Sequence, residues 1–223
     1  MTTTQQSTHQ AIGRPDGSVA ARDRSQRALA LTGPAAAVLM LAGLFESNIE
    51  TSASDGRITA WLATHGDAAW MAHAAASVLG ATLLVVFAQV VRTRLDVGTG
   101  SLAARLISPL GGLVAAAVYA GSALFAAVPV GRFFEGAPDP DPSVYRYLLA
   151  AAASVMVIFV SLPAAAFAAS VSVTGLRART MPRWLGWAGV VLAVLMLLSA
   201  FVAPLMVFGL WLLVSGIALT ISR

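Results

Sequence analysis

Residues 181–223 read MPRWLGWAGVVLAVLMLLSAFVAPLMVFGLWLLVSGIALTISR, and from Trp184 to Ser222 no charged residue interrupts 39 consecutive positions. Wound as one helix, at about 1.5 Å per residue, that run would be about 58 Å long. The hydrocarbon core of a bilayer is only ~30 Å thick and takes ~20 residues. The stretch is too long for one crossing and right for two. Its predicted break is Ala203-Pro204, because proline has no N–H to continue the helical ladder. Two membrane helices are therefore expected, at about 184–202 and 205–222, joined by a tight turn.

The whole chain shares this character. Of its 223 residues 58% are hydrophobic and 11% are charged, against about 25% charged in an ordinary soluble domain. The mean hydropathy is +0.79. These values define an all-α polytopic membrane protein. With no cysteine, disulfides, zinc–thiolate sites and thiol nucleophiles are excluded. All 14 basic residues are arginine and the net charge is +4. Arginine gathered at cytoplasmic membrane edges accounts for that excess. Nucleic acid is not an expected partner, since no basic patch is interleaved with aromatic residues. No cofactor motif occurs.

Working outward, residues 1–26 are polar and lack an apolar period, so a disordered cytoplasmic tail is expected. Arg22, Arg24 and Arg27 then precede an apolar run, predicted to be an uncleaved first helix at about 28–46. In the following loop Ile58, Trp61 and Leu62 stand at helical spacing, which suits a short helix lying on the membrane surface. Further spans are predicted at about 68–91, 104–128 and 146–174. Pro163 should kink the last of these, with Ser161 helping to satisfy a freed backbone group. Residues 131–144, with alternating Asp-Pro pairs, are predicted to be loop. The domain of residues 27–223 thus holds six transmembrane helices.

Charge placement orients the bundle. With six spans, one side holds 11 arginines and three acids, the other three arginines and seven acids. Arginine-rich loops stay in the cytoplasm, so both termini are expected there, in a bacterial inner (cell) membrane.

The MPRWLGWAG segment leads into the fifth helix. It resembles the PRWLGW-type signature of uncharacterised six-span actinobacterial integral membrane proteins, as does the arginine-rich turn before it. The stretch ITAWLATHGDAAWMAHAAASVLGATLLVVF is similar to the loop-to-second-helix region of the same family. The resemblance implies the fold and the membrane location, and it implies no activity.

Most polar residues have a packing explanation. Ala165, Ala169 and Val173 form a small face for close helix approach, and Ser77, Ser108, Ser154, Ser161, Ser199 and Ser215 suit interhelical hydrogen bonds. Trp184, Trp187 and Trp211 suit interface anchors. His73 is the one ionisable side chain well inside a predicted span. Such a residue is a functional candidate, because imidazole exchanges a proton near neutrality. Glu46 and Glu50 stand four apart and would share a face if the first helix continued past 46. Two adjacent carboxylates raise the pKa of one, which equips it as a general acid. No spacing rule selects a metal site from Glu46, Glu50, His65 and Asp67.

Two functions follow. One is a membrane module that binds a hydrophobic small molecule or a membrane partner within its bundle, as a monomer or a homo-oligomer. The other is a membrane-embedded enzyme on a lipophilic substrate, such as an acid-initiated terpenoid cyclase. There Glu46 or Glu50 would protonate the substrate, His73 or Tyr119 would take the final proton, and Trp70, Phe125, Phe133 and Tyr145 would face the cation. The substrate-binding candidates are Trp70, Tyr119, Phe125 and Tyr145.

Overall fold

The computed structural model describes residues 28–45, 53–64, 67–95, 101–136, 138, 140–198 and 202–221. The polar tail, Glu46, Glu50, His65 and Ser199 lie outside the described residues. Every described element is helical. The helices are α1 (Thr32–Phe45), α2 (Asp55–Thr64), α3 (Asp67–Leu95), α4 (Leu102–Glu135), α5 (Pro142–Ser154), α6 (Ser161–Ala178), α7 (Arg183–Leu198) and α8 (Val202–Ile221). A π-helical segment, Val155–Val160, joins α5 to α6. Among the described residues, three stretches are long and apolar enough to cross a membrane: Trp70–Leu95, Leu102–Arg132 and Pro142–Ala178. Ala28–Ala42, Arg183–Leu198 and Met206–Ile221 are shorter apolar helices.

Long-range packing makes a closed ring. α1 lies against α3 and α8, α3 against α4, α4 against α6, α6 against α7, and α7 against α8. Close approaches at glycine fix the direction of each neighbour. A methyl group added at Gly33 would lie 2.6 Å from the Phe87 ring, and one at Gly80 would lie 3.0 Å from Met40, so α1 runs antiparallel to α3. Gly216 meets Pro34 and Gly209 meets Leu41, which sets α8 antiparallel to α1. Gly186 meets Leu176 and Gly189 meets Ser172, which does the same for α6 and α7. Lipid is as apolar as leucine, so burial does not drive helices together there. Backbone-close van der Waals packing does, and these glycines permit it. The centre is filled by Phe87, Phe167, Phe208 and Trp211.

The up-and-down order sorts the charges. Arg92, Arg94, Arg105, Arg177, Arg179 and Arg183 all lie at one end of the bundle, hereafter the arginine end. There the Arg94 guanidinium donates to the Leu219 carbonyl, across 125 positions of sequence. It supplies a cation and a donor to the last turn of α8, where helix carbonyls lack partners.

Several predicted boundaries move, each for a local reason. α8 begins at Val202, so the break falls before Ala203-Pro204. Pro204 then sits in a first turn, where the N–H groups have no intrahelical partner to lose. α4 runs on through Pro129 to Glu135, and Gly136 in the left-handed conformation (φ 60°) ends it. The predicted loop at 131–144 shrinks accordingly. Pro163 is accommodated by the π-helical segment just before it, as a wider turn makes room for a proline ring. Ser161 does not assist: its Oγ is buried without a hydrogen-bond partner. Ser154 bonds to the Ala150 carbonyl of its own helix (2.7 Å), whereas Ser108 does bridge helices, donating to Gln89 Oε1 at 2.9 Å. Trp211 is no interface anchor. It is 5% exposed, stacks on Phe208 and donates a long bond (3.4 Å) to the Leu185 carbonyl.

Candidate functional site

A second, smaller core occupies the end opposite the arginines. Ala53, Ile58, Leu62, Trp70, Val128 and Tyr145 are buried there, with Trp61, Leu148 and Leu149 packed on them. Helix α2 makes this possible. Its Ile58 and Leu62, one turn apart, point into the bundle and are 0% and 4% exposed. The apolar face expected on the membrane surface is thus covered by the protein itself. Asp55 at the first turn of α2 suits the positive end of the helix. It also accepts from Arg146 at 2.5 Å, and the same guanidinium nitrogen donates to the Ala53 carbonyl at 2.7 Å. Asp55 is 71% exposed, so the ion pair is worth about 0–1 kcal/mol. It orients α2 over α5 more than it stabilises it.

Asp141 starts α5 by accepting from the Ser143 backbone N–H (2.8 Å) and the Ser143 hydroxyl (2.5 Å). The hydroxyl bond, then the backbone bond, hold its carboxyl below the ordinary aspartate value, and Arg146 adds to this. A pKa lowered by folding means the cap is complete above the ordinary aspartate range and is lost as pH falls through the native value. In an NMR titration the Ser143 amide should keep its capped chemical shift down to a pH below that of an unfolded aspartate. A midpoint at or above the unfolded value would remove this cap.

Four helices meet in the aromatic cluster. The Trp61 and Trp70 rings are 4.8 Å apart, Trp61 and Tyr145 are 5.9 Å apart, and Trp70 stacks on Tyr145 at 5.8 Å and 28°. Phe125 lies 5.5 Å from Trp70 and 5.6 Å from the half-buried His73. A pocket opens beside them, lined by Trp70, Leu124, Phe125, Val128, Tyr145, Leu148 and Leu149. It holds about 200 Å³ of empty space, counting its open mouth. Most of that space belongs to the mouth, and the enclosed part has room for only a water-sized group, so the recess takes the tip of a longer molecule and not a whole one. One polar group is buried in this apolar lining. Tyr145 is 2% exposed, and its hydroxyl is buried without a hydrogen-bond partner among the described residues. Pro129 has no N–H to offer the Phe125 carbonyl one turn before it.

The sequence-predicted residues divide. Trp70, Phe125, Tyr145 and His73 come together at this end. Tyr119 does not join them: its hydroxyl shares a 2.6 Å hydrogen bond with Thr82 Oγ1 on α3, nearer the middle of the bundle. Glu46 and Glu50 lie outside the described residues, as does the Phe133 side chain. No group of three or more metal-ligating side chains occurs among the described residues. Sequence reasoning missed Trp61 as a member of the cluster. Its spacing with Ile58 and Leu62 was the signal, once α2 is allowed to pack on protein. Comparison with family models, curated proteins and solved structures found no match to this chain.

Proposed function

We propose that this is a six-span integral membrane protein of the cell membrane with both termini in the cytoplasm. Its aromatic end takes the oxygen-bearing tip of a mostly apolar molecule. The PRWLGW resemblance, which falls on the start of α7, is part of the same proposal. The observation that carries the ligand class is the Tyr145 hydroxyl, a buried donor with no partner among the described residues, in the lining of an otherwise apolar recess. A donor left unmade in such surroundings costs about 1–3 kcal/mol, and a ligand oxygen would recover that. The stacked rings supply the apolar wall. His73 borders the cluster through Phe125 and is a positioning residue in this reading.

Reporter fusions at the two termini test the orientation: an activity seen only outside the cell at either end would overturn it. Ligand class is tested with 2-octanone and nonane, similar in size and differing in the oxygen. The purified protein should gain thermal stability from the ketone and less from the alkane. Tyr145→Phe should lose the difference, about tenfold in apparent affinity, and should melt at the wild-type temperature or above it, since it removes an unsatisfied hydroxyl. Equal responses of wild type to the two probes would end the proposal. Glu46→Gln should change neither response. If instead it abolished conversion of a polyprenyl substrate in membranes, the acid-initiated enzyme would take this reading's place.

A further inference from the structure

The turn between α6 and α7 gathers three of the six described arginines of the arginine end. Arg177, Arg179 and Arg183 are all exposed within seven positions, and none has a carboxylate partner among the described residues. No aspartate or glutamate occurs anywhere from 142 to 223. Arg94, by contrast, is engaged with Leu219. Trp184 and Trp187 stand beside the turn, 66% and 62% exposed. Such amphipathic rings settle at the level of lipid headgroups.

The turn is held, not loose. The Thr180 N–H donates to the Gly175 carbonyl (3.2 Å) and the Arg179 N–H to Leu176 (3.4 Å). Met181 is 5% exposed and plugs against Gly175, where an added methyl group would lie 3.2 Å from the Met181 Cβ. Pro182 accepts from Leu185 and Gly186 to open α7. Arg179 itself sits at φ 55°, the only non-glycine residue with positive φ among the described residues. Glycine usually ends helices in this way. Here a long cation is held in a conformation that its side chain disfavours.

We infer that this turn is a docking site for the anionic headgroups of phospholipids in the leaflet that meets the arginine end. The inference rests on the membrane-spanning reading above. Guanidinium groups bind phosphate oxygens two at a time, and three of them on a rigid hairpin, flanked by two tryptophans, match a negatively charged headgroup layer in charge and depth.

The test uses the full chain in mild detergent with dioctanoyl phosphatidylglycerol and dioctanoyl phosphatidylcholine as probes, read as retained lipid by native mass spectrometry. Wild type should retain the anionic lipid at least tenfold more strongly. The combined change R177Q, R179Q and R183Q should bring the two lipids towards parity, at about fivefold per arginine. Arg57→Gln, at the opposite end, should leave the preference intact. If the triple variant fails to fold, Arg179→Gly carries the test. It should melt a few degrees higher without lipid, because glycine accepts the positive φ, and should lose about fivefold in preference. Equal retention by wild type, or a preference unchanged in whichever variant folds, overturns the inference. Carbonate extraction separates the two failures. A protein released from membranes loses the membrane reading itself, whereas an embedded protein without lipid preference loses only this site.

Discussion

Trp70→Ala should cost about 3–5 kcal/mol of stability, the largest loss of any truncation at the aromatic end. Trp70 is 8% exposed and touches a ring from each of three other helices: Trp61 of α2, Phe125 of α4 and Tyr145 of α5. Removing the indole leaves a cavity that those elements cannot close together, because α4 and α5 are fixed by their own packing. α2 loses most, since its Ile58–Trp61–Leu62 face packs on this ring and the exposed Arg146–Asp55 pair adds little. The loss should therefore appear in two measurements. Equilibrium unfolding in mixed micelles should shift by the amount given, and amide exchange in α2 should rise before exchange in α3 or α4. Trp187→Ala, at an exposed position, is the control and should cost less than about 0.5 kcal/mol. Similar costs for the two variants would mean that the cluster is not a packed core. Tyr145→Phe completes the comparison: it keeps the ring, so it should preserve stability while affecting only the ligand response.

What the sequence reveals and what it hides divide along a physical line. Apolar runs punctuated by arginine, glycine and Asp-Pro place the helices along the chain, because each signal acts locally. The end at which a residue sits follows directly, and for that reason Trp70, Phe125 and Tyr145 were grouped from sequence. Which way a side chain faces does not follow. Helices apolar on all sides carry almost no rotational signal. Trp211 therefore read as an anchor although it is buried against Phe208, and Tyr119 read as a ligand contact although it bonds to Thr82. Prolines misled in a related way. Pro204 marked the predicted break and lies instead in the first turn of α8, and the Asp-Pro pairs set a predicted loop at 131–144 although α4 continues to Glu135. The unpartnered Tyr145 hydroxyl had no signature at all, because it depends on what four separate helices fail to offer.

Gly216→Ala should destabilise the bundle by about 1–3 kcal/mol, the usual range for forcing an extra carbon into a packed contact. Alanine is intrinsically the better helix former by about 1 kcal/mol, so the sign of the change decides which effect wins. The new methyl group would collide with the Pro34 ring and lie 3.1 Å from the Pro34 nitrogen. Proline has no alternative rotamer to vacate the space, and its nitrogen is backbone. Relief must come from moving α8 away from α1, the contact that closes the ring between the last helix and the first. Gly189→Ala meets Ser172 Oγ and the Trp211 indole at 2.7 Å. The serine can rotate but the indole cannot, so a loss of the same order is expected there. Gly112, with nothing within 4 Å of an added methyl group, is the matched control. Gly112→Ala should be neutral or stabilising by up to about 1 kcal/mol. Unfolding of the three variants by sodium dodecyl sulfate, measured by circular dichroism, gives the order directly. A crosslink between cysteines introduced at Leu41 and Gly209, which approach closely, should form in the otherwise unchanged chain and weaken selectively in Gly216→Ala. If Gly216→Ala instead matched Gly112→Ala in stability, α8 would not be locked against Pro34, and the ring would be open on that side.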